Sequence, residues 1–303
     1  MRPSSLAVTV VASLLLAGCS WTTHAPGSPA SPMSKVAAEV TSNKAVTKIL
    51  VFMVENHSLD QMSTQMPFTR TLAHRFGYAT GYHAITHPSL PNYLAITSGS
   101  THGIQDDAPP ASHAVAGPSV FGQALALGRS AKLYAEGMPR NCSTVDGGSD
   151  YAVRHNPWTY HREERAACHR YDVPMTQMAS DVAAGRLPNA GMVIPDLCHD
   201  AHDCTLESAD RWLRHEVTQV MSGPDWKSGR LVLVITADED EHNQDNRVLT
   251  VVAHPSLHRR VVDRSLTHYS VSKAYSQILG AAPLAAAATA PSLLNAFGIE
   301  PGH

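Results

Sequence analysis

The sequence predicts an α/β fold on a mostly parallel central sheet, and three observations carry that prediction. Lys48-Ile49-Leu50-Val51-Phe52-Met53-Val54 is an unbroken apolar run that stops at Glu55-Asn56. Arg230-Leu231-Val232-Leu233-Val234-Ile235-Thr236 is a second such run, and it stops at Asp238-Glu239. Neither alternates in polarity, so each suits a strand buried on both faces. Between them, Leu206, Ala209, Leu213, Val217 and Val220 recur at spacings of three and four, with Trp212 widening the stripe of one helix. Strands that alternate with helices call for right-handed crossovers within one sheet.

The remaining elements follow in order. Shorter strands are expected at 132–135, 191–194 and 249–252, and further helices at 92–98, 118–127, 174–184 and 270–279. There is no internal repeat and no second domain boundary, so 46–303 reads as one domain.

The residues before it read as targeting and tether. Arg2 gives a positive start, 6–16 are apolar but too short to span a bilayer, and Leu16-Ala17-Gly18-Cys19 is similar to a bacterial lipobox. Residues 1–19 are therefore expected to be a lipoprotein signal peptide, with Cys19 lipidated as the first mature residue. Residues 20–45 are rich in Pro, Ser, Thr and Ala, a composition that cannot offset its ordering entropy and suits a flexible tether. The expectation is an exported cell-envelope lipoprotein on the extracytoplasmic side, touching the membrane through its lipid alone.

Charge and cysteine usage agree with export. Lys plus Arg total 23 against 26 Asp plus Glu, which leaves no basic footprint for nucleic acid. Setting Cys19 aside, Cys142, Cys168, Cys198 and Cys204 make an even number suited to disulfides in an oxidising compartment. Cys198 and Cys204 are close enough for local pairing, which leaves Cys142 for Cys168. A zinc site is the competing reading, but no Cys-x-x-Cys spacing occurs.

In open α/β sheets, ligands bind beyond the carboxyl ends of the strands. Glu55-Asn56 and Asp238-Glu239 both stand at that end, so they can converge into an oxygen-rich site for a divalent cation. Polar strand-ending loops are the bland alternative. The segment Thr86-His87-Pro88-Ser89-Leu90-Pro91-Asn92-Tyr93-Leu94-Ala95-Ile96-Thr97-Ser98-Gly99 adds a hydroxyl. Pro88 and Pro91 stiffen the backbone around Ser89, and the following helix sets Ser89 near its N-terminus, where an anion is favoured. That suits phosphoryl transfer to serine; a plain N-cap serine is the competing reading.

Taken in order, these segments resemble the phosphoesterase family of bacterial acid phosphatases and phosphatidylcholine-type phospholipases C, within the alkaline phosphatase superfamily. The resemblance rests on Glu55-Asn56-His57-Ser58-Leu59-Asp60, the Ser89 segment and Asp238-Glu239. It extends to Arg154-His155-Asn156-Pro157, Ile194-Pro195-Asp196-Leu197-Cys198-His199-Asp200-Ala201-His202-Asp203-Cys204, Asn246-Arg247 and His268-Tyr269-Ser270. It implies a three-layer, alkaline-phosphatase-like sandwich. It also implies Glu55, Asn56, Ser89, Asp238 and Glu239 as ligands of one or two divalent cations. Ser89 would be the nucleophile and Asn92 a donor to a phosphoryl oxygen. His202, with Asp200 beside it, would face the phosphate or the leaving group, and His155 and His268 would be further phosphate contacts. Two departures stand out: Ala237 where an aromatic is expected, and an acidic run, Asp238 to Glu241, whose register is open.

The function expected is a metal-dependent phosphoesterase acting on a phosphate ester through phosphoserine. An acid-phosphatase-like phosphomonoesterase is favoured because no appended domain is evident. A phospholipase C or phosphodiesterase is the alternative, and a non-catalytic lipoprotein that binds phosphate esters is the alternative of another class. An α/β-hydrolase would want a Gly-x-Ser-x-Gly elbow, and a sulfatase a Cys/Ser-x-Pro-x-Arg context. The chain has neither.

Overall fold

β1, Lys48–Val54, lies inside the sheet with every side chain from Ile49 to Val54 buried. In this computed structural model the described residues are 45–148 and 150–302. The export segment, Cys19 and the tether up to residue 44 lie outside them.

The other strands are β2 Gly77–Ala79, β3 Tyr82–His83, β4 Ala131–Ala135, β5 Asp172–Pro174, β6 Ala190–Ile194, β7 Leu231–Ala237, β8 Thr250–Ala253, β9 Arg260–Val262 and β10 Leu266–Thr267. Eight of them form one sheet in the order β5-β4-β6-β1-β7-β8-β2-β9, and β10 pairs with β3 in a small second sheet. Only β8 runs against the rest of the large sheet. The reason lies in its connection. A parallel return needs a crossover, usually helical, whereas 238–249 holds no helix and carries site residues instead.

Two groups of helices flank the sheet, which makes the expected three layers. Trp212, on helix Leu206–Ser222, meets Phe52 of β1 edge to face at 6.3 Å. From the other group, Tyr275 on helix His268–Leu279 donates its hydroxyl to the carbonyl of Gly191 at 2.6 Å. Helix Ser89–Ser98 packs beside His268–Leu279 and is buried along its whole length. It begins at Ser89, three residues before the expected start. Pro91 does not prevent this, because the first turn of a helix needs no N–H from its third residue.

The expected helix at 174–184 is shorter and begins later. Asp172-Val173-Pro174 is extended, as the residue before a proline prefers. A 3₁₀ turn at Met175–Gln177 then leads into helix Met178–Ala183. Helix Leu59–Gln65 went unread, although Ser58 and Gln61 form a full capping box at its start. Both disulfides pair as expected, with Cα atoms 5.4 Å apart for Cys142–Cys168 and 4.6 Å for Cys198–Cys204. Among the described residues, no helix is long and apolar enough to cross a membrane.

Candidate active site

The site is assembled by three neighbouring strands, β6, β1 and β7. Val54 stands opposite Ala237 in the parallel register, so the next residues, Glu55 and Asp238, emerge side by side. The N–H of Asp238 donates to the Val54 carbonyl at 3.0 Å. The N–H of Asn56, a residue in the left-handed region at φ 55°, donates to Asp238 Oδ1 at 3.0 Å. On the other side of β1, the loop after β6 brings Asp200 in, and its carbonyl accepts from the Glu55 N–H at 2.8 Å. Ser89, first residue of its helix, donates its hydroxyl to Glu55 Oε2 at 3.0 Å. Tyr93, one turn along the same helix, donates to Glu55 Oε1.

Four carboxyl groups thus share one buried space. Glu55, Asp200 and Asp238 have no exposed surface and Glu239 is 4 % exposed. Among the described residues no Lys or Arg is ion-paired with any of them; histidines stand within ion-pair distance of Glu55, Asp200 and Glu239. Burial is accordingly the leading cause of their altered acidity. It pushes Asp200 and Asp238 up to about 7 and Glu239 to about 9, and raises Glu55 well above the usual carboxylate range, with Asp238 and Asp200 adding repulsion.

Several buried polar atoms here lack a hydrogen-bond partner: Asp238 Oδ2, Asp200 Oδ2 and His155 Nε2. Glu55, His155 and Asp200 each offer a ligand atom within 4.8 Å of the others. Buried oxygens without donors, carboxyls without a countercharge and an adjacent imidazole form a donor set that fits a divalent cation. Asn56 is half-buried, and its side chain makes no hydrogen bond within the described residues, so it too is available as a ligand.

The acidic run divides into two pairs. Asp238 and Glu239 turn into the site. Asp240 instead folds the following loop, accepting from the N–H groups of His242, Gln244 and Asn246 at 2.7, 2.6 and 3.1 Å. Glu241 accepts from the N–H and hydroxyl of Ser58, at 2.9 and 3.2 Å.

The expected phosphate contacts divide. His155 is buried in the cluster, stacked on Tyr93, with Nε2 3.3 Å from Glu55 Oε2 and Nδ1 3.2 Å from Asp200 Oδ2. Burial, with Arg154 and His202 nearby, holds its basicity well below the ordinary histidine range. His202 is exposed at the edge, its N–H donating to Asp200 Oδ1 at 2.8 Å and its ring 6.0 Å from that of His155.

His268 lies deeper than His202. It is fully buried, its Nε2 donates to the Asp238 carbonyl at 2.6 Å, and its Nδ1 accepts from the Tyr82 hydroxyl at 2.9 Å. Burial lowers its pKa to about 4. With both nitrogens committed in this state, it orients Asp238. Asn92 is likewise buried and committed. Its Oδ1 accepts from the Ile85 and Thr86 N–H groups, and its Nδ2 donates to the Thr86 carbonyl at 2.8 Å and to Glu239 Oε2 at 3.1 Å. In this state it steadies Glu239 and the Ser89 loop.

Sequence reasoning missed Tyr93, His87 and Asp107. His87 bridges Glu239 at 3.0 Å and Asp240 at 3.2 Å and stacks on His242. Asp107 Oδ1 accepts from the Leu90 N–H at 2.9 Å and so occupies one of the free donors at the helix start. The spacing of four between Ser89 and Tyr93 was a readable signal. Nothing in the sequence pattern pointed to Asp107.

A pH dependence follows for protein freed of cations. A carboxyl whose folded pKa lies above its unfolded value stabilises the fold when protonated, and that stability is lost as pH rises through the folded pKa. Chelator-treated protein should therefore melt at falling temperature as pH rises from about 4 to 9, the window between the ordinary carboxylate values and the raised values of Asp200, Asp238 and Glu239. Thermal scans across that range check it, and a melting temperature that rises throughout would contradict the assignment.

Comparison with known proteins completes the picture. The sequence profile of the phosphoesterase family matches residues 62–256, well over half of the chain. A phosphatidylinositol-3-phosphatase of Mycobacterium tuberculosis is 27 % identical over 253 residues, covering 82 % of each chain. An acid phosphatase of Aspergillus fumigatus is 24 % identical over 208 residues, covering 63 % of this chain and 46 % of its own, so this chain spans about half the length of that relative. Among solved structures, a Vibrio parahaemolyticus protein of the alkaline phosphatase superfamily superposes with a TM-score of 0.52 at 10 % identity, over 78 % of this chain and 67 % of its own. That likeness is one of fold. The chain belongs to the phosphoesterase family, hydrolases of phosphate ester bonds, and carries the fold of the alkaline phosphatase superfamily.

Proposed function

We propose that this protein is a cation-dependent phosphomonoesterase that works through a phosphoserine on Ser89. The observation that carries the reading is the Ser89 hydroxyl 3.0 Å from Glu55 Oε2, inside a cluster of buried carboxyls with unsatisfied oxygens. The names of the relatives, phosphatidylinositol-3-phosphatase and acid phosphatase, support a phosphate monoester over the phospholipase C or phosphodiesterase alternative. A non-catalytic binder would be marked by loss of the nucleophile or of the carboxyls, and all are present.

Glu55, Asn56, Asp238 and Glu239, with the Ser89 oxygen, would hold the cation, and His155 and Asp200 offer the start of a second position. When bound, the cation would supply positive charge against the oxygens that gain negative charge during transfer. The chain does the rest. Helix Ser89–Ser98 and the Glu55 contact fix the nucleophile, and the hydroxyl proton points at Glu55 Oε2. As the Oγ–P bond forms, the P–O bond to the alcohol breaks, and His202 would supply a proton to that oxygen. Water then attacks phosphorus, the P–Oγ bond breaks, phosphate departs and Ser89 recovers its proton. His155 and Tyr93 hold Glu55 in place throughout.

Ser89→Ala should reduce hydrolysis of p-nitrophenyl phosphate at least about a thousandfold with the fold retained. A chelator should suppress the wild type, and added cation should restore it. Full turnover by Ser89→Ala would remove the mechanism. Preference for p-nitrophenyl phosphorylcholine would move the assignment to the phospholipase C alternative.

Export and anchoring through Cys19 are part of the same proposal, supported by the two disulfides. The mature N-terminus should carry a diacylglycerol-sized mass on Cys19, and an unmodified Cys19 would refute anchoring.

A further inference from the structure

We infer that a basic groove at the edge of the large sheet, lined by Arg75, Arg259, Tyr78 and Val261, docks the protein on an anionic lipid surface. The inference does not depend on hydrolysis, and the groove shares no residue with the site described above.

Helix Pro67–Arg75 and the edge strand β9 build the groove. Its volume is about 590 Å³, and His74, Arg75, Tyr78, His258, Arg259 and Val261 line it. Two backbone hydrogen bonds join its sides. The Arg259 N–H donates to the Arg75 carbonyl at 3.2 Å, and the Arg260 N–H to the Phe76 carbonyl at 2.9 Å. Tyr78 and Val261 are register partners in β2 and β9, so their side chains stand side by side on one face. His74 meets the Tyr78 ring edge to face at 5.6 Å. A floor of half-buried Tyr78 and exposed Val261 thus lies between two exposed arginines.

Charge distinguishes this groove. The chain carries a net charge of -3, yet neither 61–79 nor 246–262, which supply the groove, contains an Asp or Glu. Arg186, Arg211, Arg230 and Arg247 are each ion-paired with a carboxylate. Among the described residues Arg75 and Arg259 are not, and the Arg75 guanidinium lies over the Phe76 ring, 4.9 Å from its centre. Arginines without a countercharge, set around exposed apolar surface, match an anionic lipid surface. Its phosphate oxygens take the guanidinium donors, and its interfacial layer takes Tyr78 and Val261. A nucleic-acid backbone would use the arginines and leave Val261, 53 % exposed, uncovered.

The position agrees. Gly77 and Arg260 open β2 and β9, and Lys48 opens β1, all at the amino end of the parallel strands. Glu55 and Asp238 stand beyond the carboxyl ends. The chain that leads from Cys19 therefore joins the sheet at the end where the groove opens, and docking there leaves Ser89 uncovered. The competing account assigns His74 and Arg75 to the last turn of their helix, whose dipole favours cations.

Co-sedimentation of the full chain with phosphatidylglycerol or phosphatidylcholine vesicles tests the inference, with Cys19→Ala so that no attached lipid contributes. Binding to the anionic vesicles should be at least about tenfold tighter than to the neutral ones, and should be lost at about 0.5 M salt. Arg75→Gln combined with Arg259→Gln should weaken it about thirtyfold, and Val261→Ser about threefold. Turnover of p-nitrophenyl phosphate by the double variant should match the wild type, so failure of docking and failure of the hydrolase reading are separate results. Equal binding to both vesicles, or polyglutamate or duplex DNA bound as tightly as the anionic vesicles, overturns the proposal. So does a double variant that melts lower but keeps its vesicle affinity, the result the helix account predicts. If the double variant does not fold, the headgroup preference and salt dependence of the chain with both arginines still decide.

Discussion

Packing Glu55, Asp200, Asp238 and Glu239 into one space closed to water costs free energy that no paired Lys or Arg among the described residues offsets. The rest of the molecule is arranged to hold that cost in place. β1 and β7 share a register that puts two of the carboxyls side by side, and β6 supplies a third from the other flank. Their backbones are locked to one another by the Asp238–Val54, Glu55–Asp200 and Asn56–Asp238 hydrogen bonds. Around this frame, Tyr93, Asn92 and His268 spend hydrogen bonds on orienting a carboxylate-bearing residue, and the rings of His155 and His87 lie within ion-pair distance of Glu55 and Glu239. A fold selected for stability alone would place apolar side chains there.

The two long strands and the acidic residues at their ends were legible because a doubly buried strand leaves an unambiguous run in the sequence, as in Lys48–Val54. The Ser89 segment was legible through its prolines and its resemblance to a family. The short strands β2, β3, β9 and β10 were not, since two or three residues carry no period and their pairing is decided by distant neighbours. The site divides in the same way. Asp238 and Glu239 could be named but not distinguished from Asp240 and Glu241 until the loop's N–H groups claimed Asp240 and Ser58 claimed Glu241. His268 could be placed near the site by motif, yet its duty was fixed by Tyr82 and the Asp238 carbonyl, both remote in sequence.

The division of labour among the histidines is a matter of depth. His155 and His268 are buried and kept neutral by desolvation, so they position their neighbours. His202 lies at the exposed edge, between Asp203 and Arg154. The disulfide Cys198–Cys204 spans the loop that carries both Asp200 and His202, and so ties a buried carboxyl to the exposed edge of the site.

The central claim is that the carboxyl cluster is a cation site. Its most direct test is calorimetric titration of a divalent cation into chelator-treated protein at neutral pH, repeated in buffers of different ionisation enthalpy. Raised carboxyl pKa values mean that the cluster holds protons which a bound cation must displace. The account predicts saturable binding with proton release, and both weakened in Asp238→Asn. Absence of binding, or binding that Asp238→Asn leaves unchanged, would contradict it.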